Sequence, residues 1–248
     1  PWIAIPRLIQ VLWTLSGLVI VLLLRGSSPD AEVQRGLARR ILNTLTGLGP
    51  CFIKLGQALS TRPDLVRRDW LEELTRLQDD LPAFPHSIAL SRIEQELGAP
   101  AEQLFEEFPS APIAAASLGQ VYKARLEGQS WVAVKVQRPN LTFILRRDLV
   151  LIRALGVLTA PFLPLNLGFG LGSIIDEFGR SLFEEIDYEQ EADNAERFAT
   201  LFVDNPAVYV PRVERMLSST HVLTTTWIEG SKMRNSQELI DQRLDPAA

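Results

Sequence analysis

The spacing of the apolar residues changes after Pro109, and that change limits the fold class more than any other feature. Before it, apolar residues recur at helical intervals. Ser28-Pro29-Asp30 is a helix-start signal; Val33, Leu37, Ile41, Leu45 and Leu48 follow on one face, and Gly49-Pro50 stops the run. The spacing predicts a second helix from Pro50 to about Thr61, broken by Arg62-Pro63-Asp64. Trp70, Leu71, Leu74 and Leu77 mark a third, ended by Leu81-Pro82; Ile88, Leu90, Ile93 and Leu97 mark a fourth, closed by Gly98. After Pro109, Ile113–Arg125 and Ser130–Gln137 are rich in small and β-branched residues, with Glu127-Gly128-Gln129 as the turn of a hairpin. Helical spacing returns from Asn140 to about Leu158, followed by the Pro/Gly-rich 160–173 and by one long helix from about Ser173 to Phe202. Val208–Val213 and Thr220–Ile228 read as two more strands. The order predicts an α+β fold with a small antiparallel sheet.

The first 27 residues stand apart. Seventeen uncharged residues lie between Arg7 and Arg25, the lower limit for crossing a bilayer, with Trp2 and Trp13 as interfacial anchors. Gln10, Thr14 and Gly17 form a weak polar stripe, which also suits a helix packed on the protein itself. No small-residue cleavage site follows Leu24, which disfavours a secretory signal. The expectation is membrane association on the nucleotide-containing side of a reducing compartment, cytoplasmic or organellar.

Composition narrows the function classes. The net charge of −5 gives no basic field for nucleic acid. One cysteine, Cys51, excludes a disulfide framework and a Cys-based zinc site; His86 and His221 are too far apart in sequence to suggest a histidine metal site. Both histidines read as structural, His86 at a helix start and His221 on an edge strand.

The hairpin carries the chemistry. Protein kinases place G-x-G-x-x-G-x-V on one strand and V-A-I-K on the next, so that loop N–H groups approach phosphates and a lysine adds a point charge. Here Ala114-Ala115-Ala116-Ser117-Leu118-Gly119-Gln120-Val121 is followed, fourteen residues after Val121, by the lysine of Val132-Ala133-Val134-Lys135. Ala114 and Ala116 stand where two of the glycines would be, which stiffens the loop and crowds the backbone. Taken alone, the same residues describe a small-residue hairpin with a surface lysine. Lys54-Leu55-Gly56-Gln57 puts Lys54 and Gln57 on one helix face. Glu184, Glu185, Asp187 and Glu191 form an acidic cluster near one stripe of the expected long helix, which by itself is an ordinary solvated face.

In this order, KLGQ, AAASLGQV, VAVKVQRP and FEEIDYEQEADN resemble the UbiB / aarF-domain-containing family of atypical kinases over about residues 30–232. The resemblance implies a protein-kinase-like N-lobe, a small antiparallel sheet plus an αC-like helix, behind a helical extension. It implies four parts: a membrane-associated helix over 1–27, the KxGQ extension over 28–110, the N-lobe over 111–232, and from 233 to 248 the start of a C-lobe that this chain lacks. Lys135 would contact ATP or ADP phosphates and pair with Glu191. Glu185 and Asp187 would form the ExD element, Lys54 and Gln57 the KxGQ element folded over the site. Ala114, Ala115, Ala116, Ser117, Gly119, Val121 and Ala133 would line the nucleotide site, and Trp227 and Ile228 would lie in the hinge that receives adenine. Magnesium would accompany the nucleotide, with ligands in the C-lobe and none in this chain. Expected partners are membrane lipid or quinone-biosynthesis proteins, for a kinase or ATPase linked to isoprenoid quinone or lipid metabolism. The alternative is a non-catalytic nucleotide-sensing membrane scaffold.

Two motifs mislead. Asp176-Glu177-Phe178-Gly179 is not D-F-G and precedes the hinge; Gly168-Phe169-Gly170-Leu171-Gly172 follows a helix instead of a strand and reads as a flexible loop. No catalytic-loop Asp and Asn and no D-F-G follow the hinge before Ala248, so the 248-residue chain by itself is expected to lack turnover.

Overall fold

A computed structural model describes residues 4–26, 28–62, 66–75, 82–128, 130–159 and 170–230. The expected residues Trp2, Leu77, Gln129, Gly168 and Phe169, and the tail from 231, lie outside them.

Four helices open the chain: α1 Ala4–Arg25, α2 Ala31–Leu48, α3 Pro50–Ser60 and α4 Arg68–Thr75. Local chemistry sets the α2–α3 junction. The Asp30 carboxylate accepts from the Glu32 N–H to start α2, and Gly49, at φ 96°, turns the chain so that Pro50 begins α3. Helix α5, His86–Leu97, ends at Gly98 in the left-handed region (φ 77°). Its core face is Ala89 and Ile93; Ile88, expected on that face, is exposed. A short α6, Ala101–Leu104, had no sequence signal.

The sheet contains β1 Ala114–Ala115, β2 Gly119–Arg125, β3 Trp131–Gln137 and β4 Val222–Thr226, all antiparallel in the order β1-β2-β3-β4. The Ile113–Arg125 run is therefore two strands. Between them the Ala116 N–H donates to the Gly119 carbonyl over 2.8 Å, closing a tight turn that small residues permit. Strand alternation divides β3 between two environments. Val132, Val134 and Val136 pack with Tyr122, Ala89 and Ile93 on one face. On the other, Lys135 aligns with Val121 and Leu223.

Helix α7, Leu141–Thr159, leads to α8, Leu171–Glu185, and α9, Tyr188–Leu201. The single helix expected over 173–202 is thus broken at Ile186-Asp187. Asp187 is an N-cap, accepting from the Glu189 N–H at 3.1 Å and the Gln190 N–H at 3.2 Å. The break lets Ile186 bury in the helical core while Tyr188 buries against the sheet. Residues 171–172, expected in a flexible loop, begin α8. The strand expected over 208–213 does not form either. Only Val213 bridges to Thr225, and Pro211, within the run, has no N–H to give a ladder.

Helix α1 is docked by one face. Val11 and Leu18 are buried, and Leu8 and Leu15 pack on the helical core. The Arg7 guanidinium holds the wholly buried Asp148 of α7 through Nε at 3.1 Å and Nη2 at 2.6 Å, and it also bonds the Leu48 carbonyl at the end of α2. The opposite face, with Ile9, Trp13, Ile20, Leu23 and Leu24, is exposed and apolar.

Candidate nucleotide site

Lys135 projects from β3 toward α9. Its ammonium lies 2.7 Å from Glu191 Oε2 and 3.0 Å from Oε1, and 4.5 Å from the centre of the Tyr188 ring. Both partners of the ion pair are partly exposed, at 33% and 42% of their side chains, so the charges face a cleft and not the core.

The alanine loop lies against this pair. Leu118 at its tip is buried in the helical core, and Ser117 is also buried. Arg138, just past β3, fastens the loop from outside. Its Nε donates to the Ala116 carbonyl at 3.1 Å, its Nη2 to the Pro82 carbonyl at 2.7 Å, and its backbone N–H to the Leu118 carbonyl at 2.9 Å. The guanidinium packs 5.5 Å from the Phe84 ring, and burial lowers its pKa. A Cβ on Gly119 would come 2.6 Å from the Val136 carbonyl oxygen and 2.8 Å from the Tyr188 hydroxyl, so glycine is required there for space.

A cavity of about 150 Å³ lies under the loop, lined by Ala114, Ala116, Ser117, Leu118, Gly119, Val121, Lys135, Lys54 and Glu185. Lys54, from α3, bonds Glu185 at the end of α8. Glu185 and Lys135 also line an open cleft of about 460 Å³ with Ser181, Glu184, Gln190, Glu191 and Asn194. The Lys54–Glu185 pair therefore stands between the two spaces. Drug-sized ligands occupy roughly 300–1,000 Å³, so the inner cavity alone is small for a nucleotide.

Other expected site residues fall elsewhere. Gln57 lies one turn beyond Lys54 on the same face of α3 and is half-buried. Asp187 caps α9 instead of meeting a lysine. Ala115 pairs with Gln120 and does not line the inner cavity; Ala133 sits on β3 between Lys123 and Thr225. Trp227 and Ile228 follow β4, where the Trp227 N–H donates to the Trp131 carbonyl at 2.9 Å. That is four positions along β3 from Lys135, roughly 13 Å at strand spacing. Glu229 receives Lys123 at 2.8 Å and the Trp227 indole at 2.6 Å, which together hold its carboxyl below the usual range. Asp176 of the D-E-F-G run pairs with Arg153, away from this cleft. His221 bonds Glu96 at 2.8 Å and His86 stacks with Phe108, both outside the site.

Sequence reasoning missed Tyr188, Arg138 and the Arg7–Asp148 tie. Arg138 and Tyr188 do lie inside quoted motifs, VAVKVQRP and FEEIDYEQEADN, but only distance contacts reveal what they touch.

A small antiparallel sheet, a strand lysine held by a glutamate of the next packed helix, and a tight small-residue loop beside that lysine define a protein-kinase-like N-lobe. Residues 76–248 match the family model of the ABC1 atypical kinase-like domain. The chain belongs to this family, also described as UbiB or aarF-domain kinases. It is 46% identical over 248 residues to the uncharacterized protein slr1919 of Synechocystis, covering all of this chain and 44% of that protein. It is 43% identical over 246 residues to ACTIVITY OF BC1 COMPLEX KINASE 1, chloroplastic, of Arabidopsis thaliana, covering 97% of this chain and 36% of that protein. The chain thus spans less than half the length of these relatives. Among solved structures, the complex of Rv3197 with erythromycin from Mycobacterium tuberculosis matches with a TM-score of 0.53 and 33% identity, over 82% of this chain and 51% of that one.

Proposed function

We propose that this chain is the nucleotide-binding N-lobe and helical extension of an atypical kinase or ATPase that works at a membrane surface. The observation that carries the reading is the Lys135–Glu191 pair, 2.7 Å apart, under a loop whose turn brings its backbone to the same cleft. An ammonium fixed by a carboxylate is the device kinases use to orient nucleotide phosphates. Lys135 would hold the phosphates, and the turn from Ala116 to Gly119 would offer backbone to them. Magnesium would belong to the same chemistry. Among the described residues no group of three His, Cys, Asp or Glu side chains is arranged to hold a cation.

The Lys54–Glu185 pair acts in this reading as a gate that restricts the cleft to small acceptors. The exposed apolar face of α1 supports work beside lipid, and an isoprenoid quinone precursor or lipid is the acceptor class that fits such a location. Calorimetry with MgATP and MgADP tests the reading. The chain should bind at least one nucleotide and lose it with Lys135→Ala. Undiminished binding by Lys135→Ala would refute the assignment. Steady ATP turnover by the full-length protein, lost with Lys135→Ala, would separate an enzyme from the alternative, a nucleotide-sensing scaffold.

A further inference from the structure

Tyr188 begins α9 and is completely buried, and its hydroxyl has neither a hydrogen-bond partner nor accessible surface through which water could reach it. A hydroxyl so placed is destabilising, because it has lost its hydration without replacement. Phenylalanine would fill the same space without that loss. Burial, reinforced by the charges of Glu191 and Glu185, pushes the ionisation of this phenol far up, so it remains a hydrogen-bond donor.

Its position is specific. One face of the ring seats the Lys135 ammonium at 4.5 Å. The hydroxyl lies beneath Gly119, where the loop returns to β2. The nearby carbonyls of Ala116, Leu118 and Gly119 are engaged by Arg138 Nε, the Arg138 N–H and the Ala116 N–H. A donor therefore lies under the turn that lines the small inner cavity beside Lys135.

We infer that Tyr188 is a positioning residue of the nucleotide site: its ring seats Lys135, and its hydroxyl takes an acceptor from the backbone of the alanine loop when the loop settles on phosphates. This rests on the nucleotide reading of the cleft. It separates the two states of the loop energetically, since the hydroxyl is unpaired in one and paired in the other.

The test compares wild type, Tyr188→Phe and Tyr188→Leu in the full-length protein, by thermal melting without nucleotide and by calorimetry with MgATP and MgADP. Tyr188→Phe should melt at the wild-type temperature or above it, yet bind nucleotide about three- to tenfold more weakly, the range one neutral hydrogen bond supplies. Tyr188→Leu, which also removes the ring under Lys135, should bind more weakly than Tyr188→Phe. A purely structural tyrosine would lower melting temperature and affinity together, and that result overturns the inference. So does Tyr188→Phe binding as wild type does, while wild type still binds. Wild type that binds neither nucleotide overturns the proposed function and this inference together.

Discussion

Replacing Arg7 with leucine should destabilise the protein far more than its place in an apolar N-terminal helix suggests. Arg7 Nη2 lies 2.6 Å from Asp148, whose side chain is 0% exposed against 11% for Arg7. Removing one member of a buried pair costs roughly 3–5 kcal/mol, because the other charge remains without its partner. Arg147 Nε, 2.9 Å from the same carboxylate, still holds Asp148 and moves the expectation to the lower end, about 3 kcal/mol. For a domain of this size each kcal/mol shifts Tm by about 2–4 °C, so Arg7→Leu should lower Tm by roughly 6–12 °C. The double variant Arg7→Leu/Asp148→Leu should recover most of that, since a buried pair replaced by apolar residues is often neutral. Differential scanning calorimetry reads both. Flotation on liposomes is the second assay, and the arginine variant should still float, because the outward face of α1 is untouched. A Tm within about 2 °C of wild type would refute the reasoning. It would mean that α1 leaves the core, as a helix crossing a bilayer apart from the domain would.

The gate predicts coupling. Lys54→Ala and Glu185→Ala should each open the cleft to larger acceptors with little loss of Tm, and the double variant should match either single one; additive effects on acceptor range would show that the two do not act as a pair. Cys51 makes the fold sensitive to alkali. Burial, then the charge of Asp148, pushes its thiol from 9.0 to about 12. Above pH 9 the unfolded chain loses a proton that the folded chain keeps, so stability should fall as pH rises from about 9 toward 12. Urea midpoints at pH 8, 9 and 10 should fall less steeply for Cys51→Ala, and equal slopes would exclude the thiol as a cause.

Much of the fold was legible because its signals are local. Asp30, Gly49 and Gly98 bound their helices by capping chemistry that a few residues determine. The alternation in Trp131–Gln137 places Lys135 on the face opposite Val132, Val134 and Val136. The tie from Arg7 to Asp148 spans 141 residues, and Arg138 reaches the loop 22 residues back, so no periodicity announces either. The strand expected over 208–213 does not form for a local reason the sequence carries, Pro211 within the apolar run.

The break between α8 and α9 explains how the acidic cluster serves two lysines. In one continuous helix Glu184 and Glu191, seven residues apart, would share a stripe, while Glu185 and Glu191, six apart, would point about 120° away from each other at 3.6 residues per turn. The structure pairs Glu185 with Lys54 and Glu191 with Lys135 at a single cleft. That requires the chain to turn between them, and Asp187 turns it by capping α9 through its own carboxylate. The middle acid of the Glu185–Asp187–Glu191 set thus acts here through backbone geometry. It releases Glu185 to the helix that carries Lys54 and starts α9 at the angle that sends Glu191 to Lys135 and Tyr188 beneath it.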